Sequence, residues 1–512
     1  MIADQTFIQS FTRKAVMEPQ KVFARFDGLP IAFSTINSMS DSFAAGLRAL
    51  GVRAGDRIAV MMRNSPTTLA VLFGLAKARA VWVPINIQLR GAGLRHLIDH
   101  CDPRLFIYDN DVKAIVSDSG IGIDPGQRLV SGDETAKCSV ETILSNRVGF
   151  SEQSPRCDET FAIMYTSGTS GPPKGVLVSY EMMRFAAEGA ARVSAIQPGD
   201  VMFVWEPLYH IGGAQLILLP IVYNVTLAMT RGFSASRFWS EARQWGATHI
   251  HYLGGILQIL LKQPPSALDR QHSVRIAWGG GCLKDIWSPF QERFGVTIRE
   301  CYGLTEASSI STCNDSGAIG LVGRELPWFS VSVLDDEGRS VPAGEKGEIV
   351  LRARKSGALF SGYFRNAHAT ERVLRGGSLY TGDLGSFNAN MYLTYHGRLS
   401  DSVRCKGENV SAWEVEHVVL RHPAVEECAI VGVRAEVGEQ DIKLFVRLRT
   451  GATITPPQLS DWLTGQLGSY QNPRYIKIIE QFDRTPSHRI IRQELSRDLA
   501  DCWDRYAVSA VS

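Results

Sequence analysis

The stretch MYTSGTSGPPKGV, residues 164–176, puts hydroxyls, glycines and one lysine where a polyphosphate could be held. An apolar run leads into Thr166, Ser167, Gly168, Thr169 and Ser170, and Lys174 follows. Glycines let a backbone approach closely and turn successive N–H groups toward one concave point. The hydroxyls add donors, and the lysine adds a movable positive charge. The spacing differs from the G-x-x-x-x-G-K-[ST] phosphate loop, so the stretch is not that motif. A solvated Gly/Ser linker is the plain alternative, but linkers rarely follow a buried-type strand and end in Pro-Pro-Lys-Gly.

Other chemistry-bearing residues recur along the chain. CYGLTEAS (301–308) offers the aromatic Tyr302, the hydroxyl of Thr305 and the carboxylate of Glu306, a hard donor suited to Mg²⁺. LYTGDLG (379–385) carries Asp383 beside a turn glycine, and GRLSDSVRCKGENVSAWEVE (397–416) carries Arg398, Lys406 and Gly407. EPLYHIGGAQ (206–215) holds His210; a lone histidine in an apolar stretch is more often a core residue than a reacting one. The glycines of HYLGGILQ (251–258) and WGGGCL (278–283), Gly279 and Gly280 among them, read either as a roomy pocket or as tight packing. Near the end, RTPSHRII (484–491) joins a turn-prone Thr-Pro-Ser to His488, Arg489 and two isoleucines.

In this order, and over nearly the whole chain, these stretches resemble the signatures of the adenylate-forming superfamily, which includes acyl-CoA synthetases, luciferases and peptide-synthetase adenylation domains. The resemblance implies that Thr166, Ser167, Gly168, Thr169 and Lys174 hold the phosphates of ATP. It also implies that Tyr302, with Gly303, offers a face to adenine, that Thr305 donates to a phosphate, and that Glu306 holds Mg²⁺. Asp383 is expected to accept both ribose hydroxyls, with Arg398 reaching ribose or phosphate. Gly279 and Gly280 then line the acyl and adenine sites, roomily enough for a bulky acyl group. His210 borders the acyl pocket and the pantetheine tunnel of coenzyme A. Phe203 and Val204 stand where peptide-synthetase domains carry an aspartate for the substrate amine, and no carrier domain follows. A carboxylic acid delivered to coenzyme A through acyl-AMP is therefore the expected chemistry.

Two departures from the family pattern concern the step that each half of the chain performs. Ser400 replaces the Asp or Lys two residues after the hinge arginine, where rotation of the C-terminal domain is expected to alternate two poses. In RTPSHRII the family has Arg-Thr-Pro-x-Gly-Lys-Ile, whose lysine stabilises charge as carboxylate attacks the α-phosphorus. Here His488 and Arg489 take the Gly-Lys positions. Arginine keeps the charge but is a wide planar fork, so the exchange is not conservative. The favoured expectation is a protein that thioesterifies an acyl-adenylate with adenylation weak or lost, taking acyl-AMP from a separate adenylating enzyme. Lys406 and Gly407 belong to the thioester-forming pose, in which the Arg489 loop takes no part. The alternatives are a full two-step ligase using Arg489, and a non-catalytic acyl-adenylate binder.

The elements that must position these residues are visible in the hydrophobic pattern. Residues 55–86 run apolar, turn, helical and apolar again, a βαβ unit whose strands are buried on both faces. Similar alternation continues to about 390, whereas FSVSVLDDEGRSVPAGEKGEIVLRA reads as antiparallel hairpins. The expected fold is α/β: a large N-terminal domain (1–396) of stacked α/β subdomains with a small β-barrel-like subdomain at about 318–395, a hinge at 397–402, and a mobile α+β C-terminal domain (403–512). With 54 Lys+Arg against 52 Asp+Glu, the net charge of +2 leaves no footprint for nucleic acid. Nine scattered cysteines, an interrupted apolar stretch at 212–229 and no visible signal sequence point to a cytoplasmic protein with reduced thiols and no membrane span. A homodimer is expected from the family resemblance.

Overall fold

A computed structural model describes residues 5–133, 139–166, 173–399, 402–405, 408–435, 440–464, 466–467, 471–484 and 490–507. Within Met1–Thr166, Pro173–Val331 and Leu351–Leu379 they form one compact unit; within Ser332–Val350 and Tyr380–Ser512 they form a second.

The βαβ pattern of residues 55–86 folds as strand Arg57–Met61, helix Pro66–Lys77 and strand Val81–Pro84, with the two strands parallel. Ser65 caps the helix by accepting from the Thr68 N–H, and Pro66 takes the first turn, where no donor is missed. Every residue from Thr68 to Lys77 is buried, so this helix is sandwiched rather than amphipathic. Its strands belong to a six-stranded sheet in the order Arg128–Ser131, Leu105–Asp109, Arg57–Met61, Val81–Pro84, Thr160–Thr166, Lys174–Ser179.

A nine-stranded sheet in the same unit carries the parallel run Thr297–Tyr302, Ile276–Gly280, His249–Leu253, Val201–Val204, Thr226–Met229 and Val22–Phe26. One face of it is covered by Phe203, Trp205, Tyr252, Trp287, Phe290 and their neighbours. The interrupted stretch 212–229 becomes the short helices Ile211–Ala214 and Leu219–Tyr223, then strand Thr226–Met229. Pro220 sits in a helical first turn and Asn224 ends that helix in the left-handed region. Among the described residues no helix is long and apolar enough to cross a membrane.

In the second unit, Ser378–Phe387 from Tyr380 onward pairs antiparallel with Leu393–Arg398. A four-stranded sheet in the order Val425–Arg434, Gln440–Leu448, Tyr475–Ile478, Trp503–Asp504 packs with helices Ala412–Val419 and Pro456–Thr464 around Val410, Val415, Ile430, Leu444, Leu459 and Ile476. Lys443 is wholly buried there. Its ammonium lies 2.7 Å from Asp501 Oδ1 and also donates to the Asp498 carbonyl, as a buried cation must. Eight of the nine cysteines are described, and all eight are free thiols; Cys138 lies outside the described residues.

Of the glycines that read either as pocket or as packing, Gly279 is tightly packed. A Cβ on Gly279 would lie 1.9 Å from the Tyr252 carbonyl oxygen, so this residue permits close strand approach. Gly382 adopts φ +70° with nothing within 4 Å of its missing Cβ. Gly279→Ala is expected to cost at least ~3 kcal/mol by overpacking against backbone. Gly382→Ala should cost only about 1–2 kcal/mol, the penalty of a left-handed alanine. Thermal unfolding of both variants checks the contrast: the Gly279 change should lower the melting temperature more.

Candidate active site

The parallel strands Val201–Val204, His249–Leu253, Ile276–Gly280 and Thr297–Tyr302 end on one edge of the nine-stranded sheet, and the chain leaves each through a segment singled out for chemistry. Ligand sites of open α/β sheets form at such carboxyl edges. Beyond Tyr302 the chain makes a tight turn, Thr305–Ala307, followed by Ser308 and Ser309 with positive φ. Gly303 allows it: a Cβ there would lie 2.0 Å from the Ser309 carbonyl oxygen. Tyr302 is 7% exposed, and its N–H donates to Thr312 Oγ1 at 3.1 Å.

Glu306 is only 8% exposed, so its carboxylate needs donors. Tyr363 supplies one: its hydroxyl donates to Glu306 Oε1 at 2.9 Å. The same tyrosine ring lies 5.3 Å from Lys174 Nζ, within cation–π range. Tyr363 reaches this position because its segment adds to the strand Lys174–Ser179. Val176 bridges Tyr363 in antiparallel fashion, and the Phe364 N–H donates to the Gly175 carbonyl at 2.7 Å. The strand also packs against the Thr305–Ala307 turn. Lys174 and Glu306, 132 positions apart in the chain, are thus linked through one tyrosine. Thr166 faces Lys174 across the hairpin, with its hydroxyl 3.5 Å from the Lys174 carbonyl.

His210 stands at the start of the helix Ile211–Ala214, its ring 4.8 Å from that of Tyr209. The preceding Glu206 is buried, with its carboxylate against His251 Nδ1. Trp205 Nε1 donates to the His251 carbonyl at 2.8 Å, and a Cβ on Gly212 would sit 3.1 Å from Glu206 Oε1. These glycines too make room for neighbouring protein atoms. In the second unit Asp383 and Arg398 stand opposite each other in register, with Arg398 Nε 3.1 Å from Asp383 Oδ1. The Asp383 carboxylate is buried. Thr381 Oγ1 accepts from its N–H at 3.1 Å and donates to the Ile349 carbonyl at 2.7 Å, while the Gly382 N–H donates to Glu348 Oε1 at 2.8 Å.

The structure therefore joins Thr166, Lys174 and Glu306 in one set of contacts, and Asp383 with Arg398 in another. Ser167, Gly168, Thr169, Lys406, Gly407, His488 and Arg489, with Ser400, lie outside the described residues. Sequence reasoning missed Tyr363: the stretch SGYF has no spacing that advertises a role. It missed Glu206 and His251 as a pair for the same reason.

Residues 11–364 match the family model described as AMP-binding enzyme, and residues 414–489 match the AMP-binding enzyme C-terminal domain. The chain is an AMP-binding enzyme. It belongs to the adenylate-forming superfamily and is of acyl-CoA ligase type. A crotonobetaine/carnitine–CoA ligase of Escherichia coli is 29% identical over 87% of this chain and 89% of its own. One from Salmonella enteritidis is 27% identical over 93% and 95%. Among solved structures, o-succinylbenzoate CoA synthetase of Bacillus subtilis in complex with its acyl-adenylate superposes with a TM-score of 0.84 at 22% identity, over 96% of this chain and 98% of that one. An anthranilate CoA ligase in complex with anthranoyl-AMP gives 0.85 at 23% identity, over 96% of each chain. These superpositions match the α/β fold of this AMP-binding enzyme across both units.

Tyr363→Phe removes one donor from a buried carboxylate, a loss of about 1–3 kcal/mol. The AMP-binding enzyme carrying it is expected to bind Mg²⁺–ATP about tenfold more weakly, measured by calorimetric titration, whereas AMP without Mg²⁺ should bind nearly as well as to the wild type.

Proposed function

We propose that this enzyme makes an acyl-CoA thioester from a carboxylic acid and coenzyme A through acyl-AMP, and that Arg489 leaves its adenylating step weak. The observation that carries the proposal is the segment RTPSHRII: a wide guanidinium occupies the position of the family's catalytic lysine. The nucleotide-side residues are all retained, which supports acyl-adenylate binding in either half-reaction. Relatives named for crotonobetaine or carnitine, o-succinylbenzoate and anthranilate share a carboxylate and no common skeleton, so the substrate class is set no more finely than a carboxylic acid.

Glu306 is the residue that fits Mg²⁺: a buried, hydroxyl-supported carboxylate oxygen of the hard kind this ion prefers. When bound, the ion would neutralise phosphate charge. Lys174 brings a positive charge for the phosphate oxygens, and Thr166 a hydroxyl. Asp383 can accept two ribose hydroxyls, with its strand held by Arg398 opposite and by the Thr381 hydroxyl. His210, Lys406 and Gly407 are assigned to the thiol side, where coenzyme A attacks the acyl carbon and AMP leaves. The adenylating step asks more of one cation: it must touch both the attacking carboxylate and the α-phosphate as charge builds, and a fork wider than an ammonium meets that geometry poorly. The hinge at 397–402, with Ser400, is proposed to pass between the two poses. Acyl-AMP made by a separate adenylating enzyme would then be the substrate.

A two-step ligase using Arg489 is the second reading, favoured by the retention of Lys174 and Glu306, which ATP itself requires. Two assays separate them. Synthetic acyl-AMP plus coenzyme A should give thioester at rates on the order of 1–100 s⁻¹, and no product would overturn the thiolation claim. Carboxylate-dependent pyrophosphate exchange by the wild type should be slower than that of the His488→Gly, Arg489→Lys double variant by about 100-fold or more. Equal exchange by the two proteins would establish the two-step reading instead.

A further inference from the structure

None of the roles above uses His100 or Tyr165, yet the two stand where the pieces of chain that carry the phosphate-side residues come together. Tyr165 pairs in register with Gly175, next to the pair formed by Thr166 and Lys174. The Tyr165 ring lies across that glycine: a Cβ on Gly175 would sit 3.3 Å from Tyr165 Cζ and 3.5 Å from Phe364 Cβ. Laid this way, the ring carries its hydroxyl to within 2.6 Å of His100 Nδ1. His100 also meets the segment that brings Tyr363 to the site. Its ring centroid is 5.7 Å from that of Tyr165 and 5.7 Å from that of Phe364, edge to face in both cases. Its carbonyl accepts from Arg365 Nη1 at 3.1 Å.

The imidazole is itself held from behind. His100 is the penultimate residue of helix Gly91–Cys101, where carbonyls lack partners within the helix. Arg57 Nε donates to the Cys101 carbonyl at 2.5 Å, and Arg57 Nη2 to the Asp102 carbonyl at 2.8 Å. Asp102 and Arg365 both take the left-handed conformation, at φ +46° and +51°, a cost that surrounding contacts must cover. They cover it together, with Arg365 Nη2 donating to Asp102 Oδ2 at 3.1 Å. The helix end, the hairpin and the Tyr363 segment therefore meet at one ring.

We propose that His100 is a positioning residue that, through the Tyr165 hydroxyl, fixes the last rung of the phosphate hairpin against the Tyr363 segment and so sets where Lys174 and Thr166 meet the phosphates. The inference rests on the AMP-binding reading of that site. Burial holds the His100 imidazole below its usual range, with His96 and Arg365 adding to the effect, and burial pushes the Tyr165 hydroxyl up. A neutral imidazole with its proton on Nε2 accepts at Nδ1, and the protonated Tyr165 hydroxyl donates. Without that bond the Tyr165 ring can leave Gly175. The rung beside Lys174 then loosens, and with it the 5.3 Å approach of Lys174 Nζ to the Tyr363 ring.

The test compares wild type with H100A, H100N, Y165F and the H100A/Y165F double variant. Asparagine sets an acceptor oxygen close to the place of Nδ1, alanine removes the acceptor, and phenylalanine removes the donor. Affinities for Mg²⁺–ATP and for AMP without Mg²⁺ are measured by calorimetry. H100A and Y165F should each bind Mg²⁺–ATP about tenfold more weakly, and H100N should recover to within about threefold of wild type. The double variant should bind no more weakly than either single one, because both remove the same bond. AMP alone, which lacks the outer phosphates, should lose less than about twofold in every variant. Additive losses, an H100N as weak as H100A, or equal losses for AMP and Mg²⁺–ATP would overturn the proposal. A second readout needs no nucleotide. Amide hydrogen exchange in peptides covering residues 174–179 and 360–366 should quicken about tenfold in H100A and Y165F and stay near wild type in H100N. Unchanged exchange in H100A would overturn the role of His100 by itself. Failure of the wild type to bind Mg²⁺–ATP would instead overturn the phosphate-site reading on which the proposal rests, an outcome distinct from the exchange result.

Discussion

A buried carboxylate ties together distant parts of the first unit. At 8% exposure the Glu306 carboxylate needs hydrogen-bond donors, and one of them, the Tyr363 hydroxyl, lies in a segment more than fifty residues further on. That segment grips the turn at three points. The Tyr363 hydroxyl donates to the Glu306 carboxylate, the Phe360 N–H donates to the Glu306 carbonyl at 2.9 Å, and Ser308 Oγ donates to the Ala358 carbonyl at 2.7 Å. Each bond replaces one that water would make, and together they hold the turn that carries the carboxylate. The same segment extends the sheet beside Lys174, so Lys174 and Glu306 are both positioned by one piece of chain.

Close backbone approach is the second device. Gly279, Gly303 and Gly281 each stand where a Cβ would collide with a carbonyl or Cα atom of a neighbouring loop. The strands can therefore end close together and present main-chain N–H groups in a small space, the condition for holding an anion or a carboxylate. Glu300 uses that condition within the protein itself, accepting from the Gly281 and Cys282 N–H groups. In the second unit, paired charge does comparable work: Asp383 and Arg398 face each other across a hairpin, next to Gly382, which takes the left-handed conformation within its strand.

Much of this was legible from residue order. The βαβ unit at 55–86, the hairpin strands and the C-terminal αβ unit follow from hydrophobic period and from Gly/Pro punctuation, both local properties. The motifs around Lys174, Glu306 and Asp383 were legible because each is contiguous. Tyr363 was not, since its role arises from strand pairing with Val176, 187 positions earlier. The glycines of HYLGGILQ and WGGGCL read from sequence either as a roomy pocket or as tight packing, and for Gly279 the fold shows tight packing. A glycine marks missing atoms, and only the fold shows that the Tyr252 carbonyl fills the space.

The amino-acid sequence by itself determined the family and the alternation of strands and helices, because these depend on residue type and on neighbours a few positions away. The tertiary structure alone decided which distant groups meet: Tyr363 with Glu306 and Lys174, Glu206 with His251, and Glu300 with Tyr252 and the Gly281–Cys282 loop. Burial then does the rest, since a charge or a hydroxyl acquires its chemical character from what surrounds it, and no stretch of sequence states what those surroundings are.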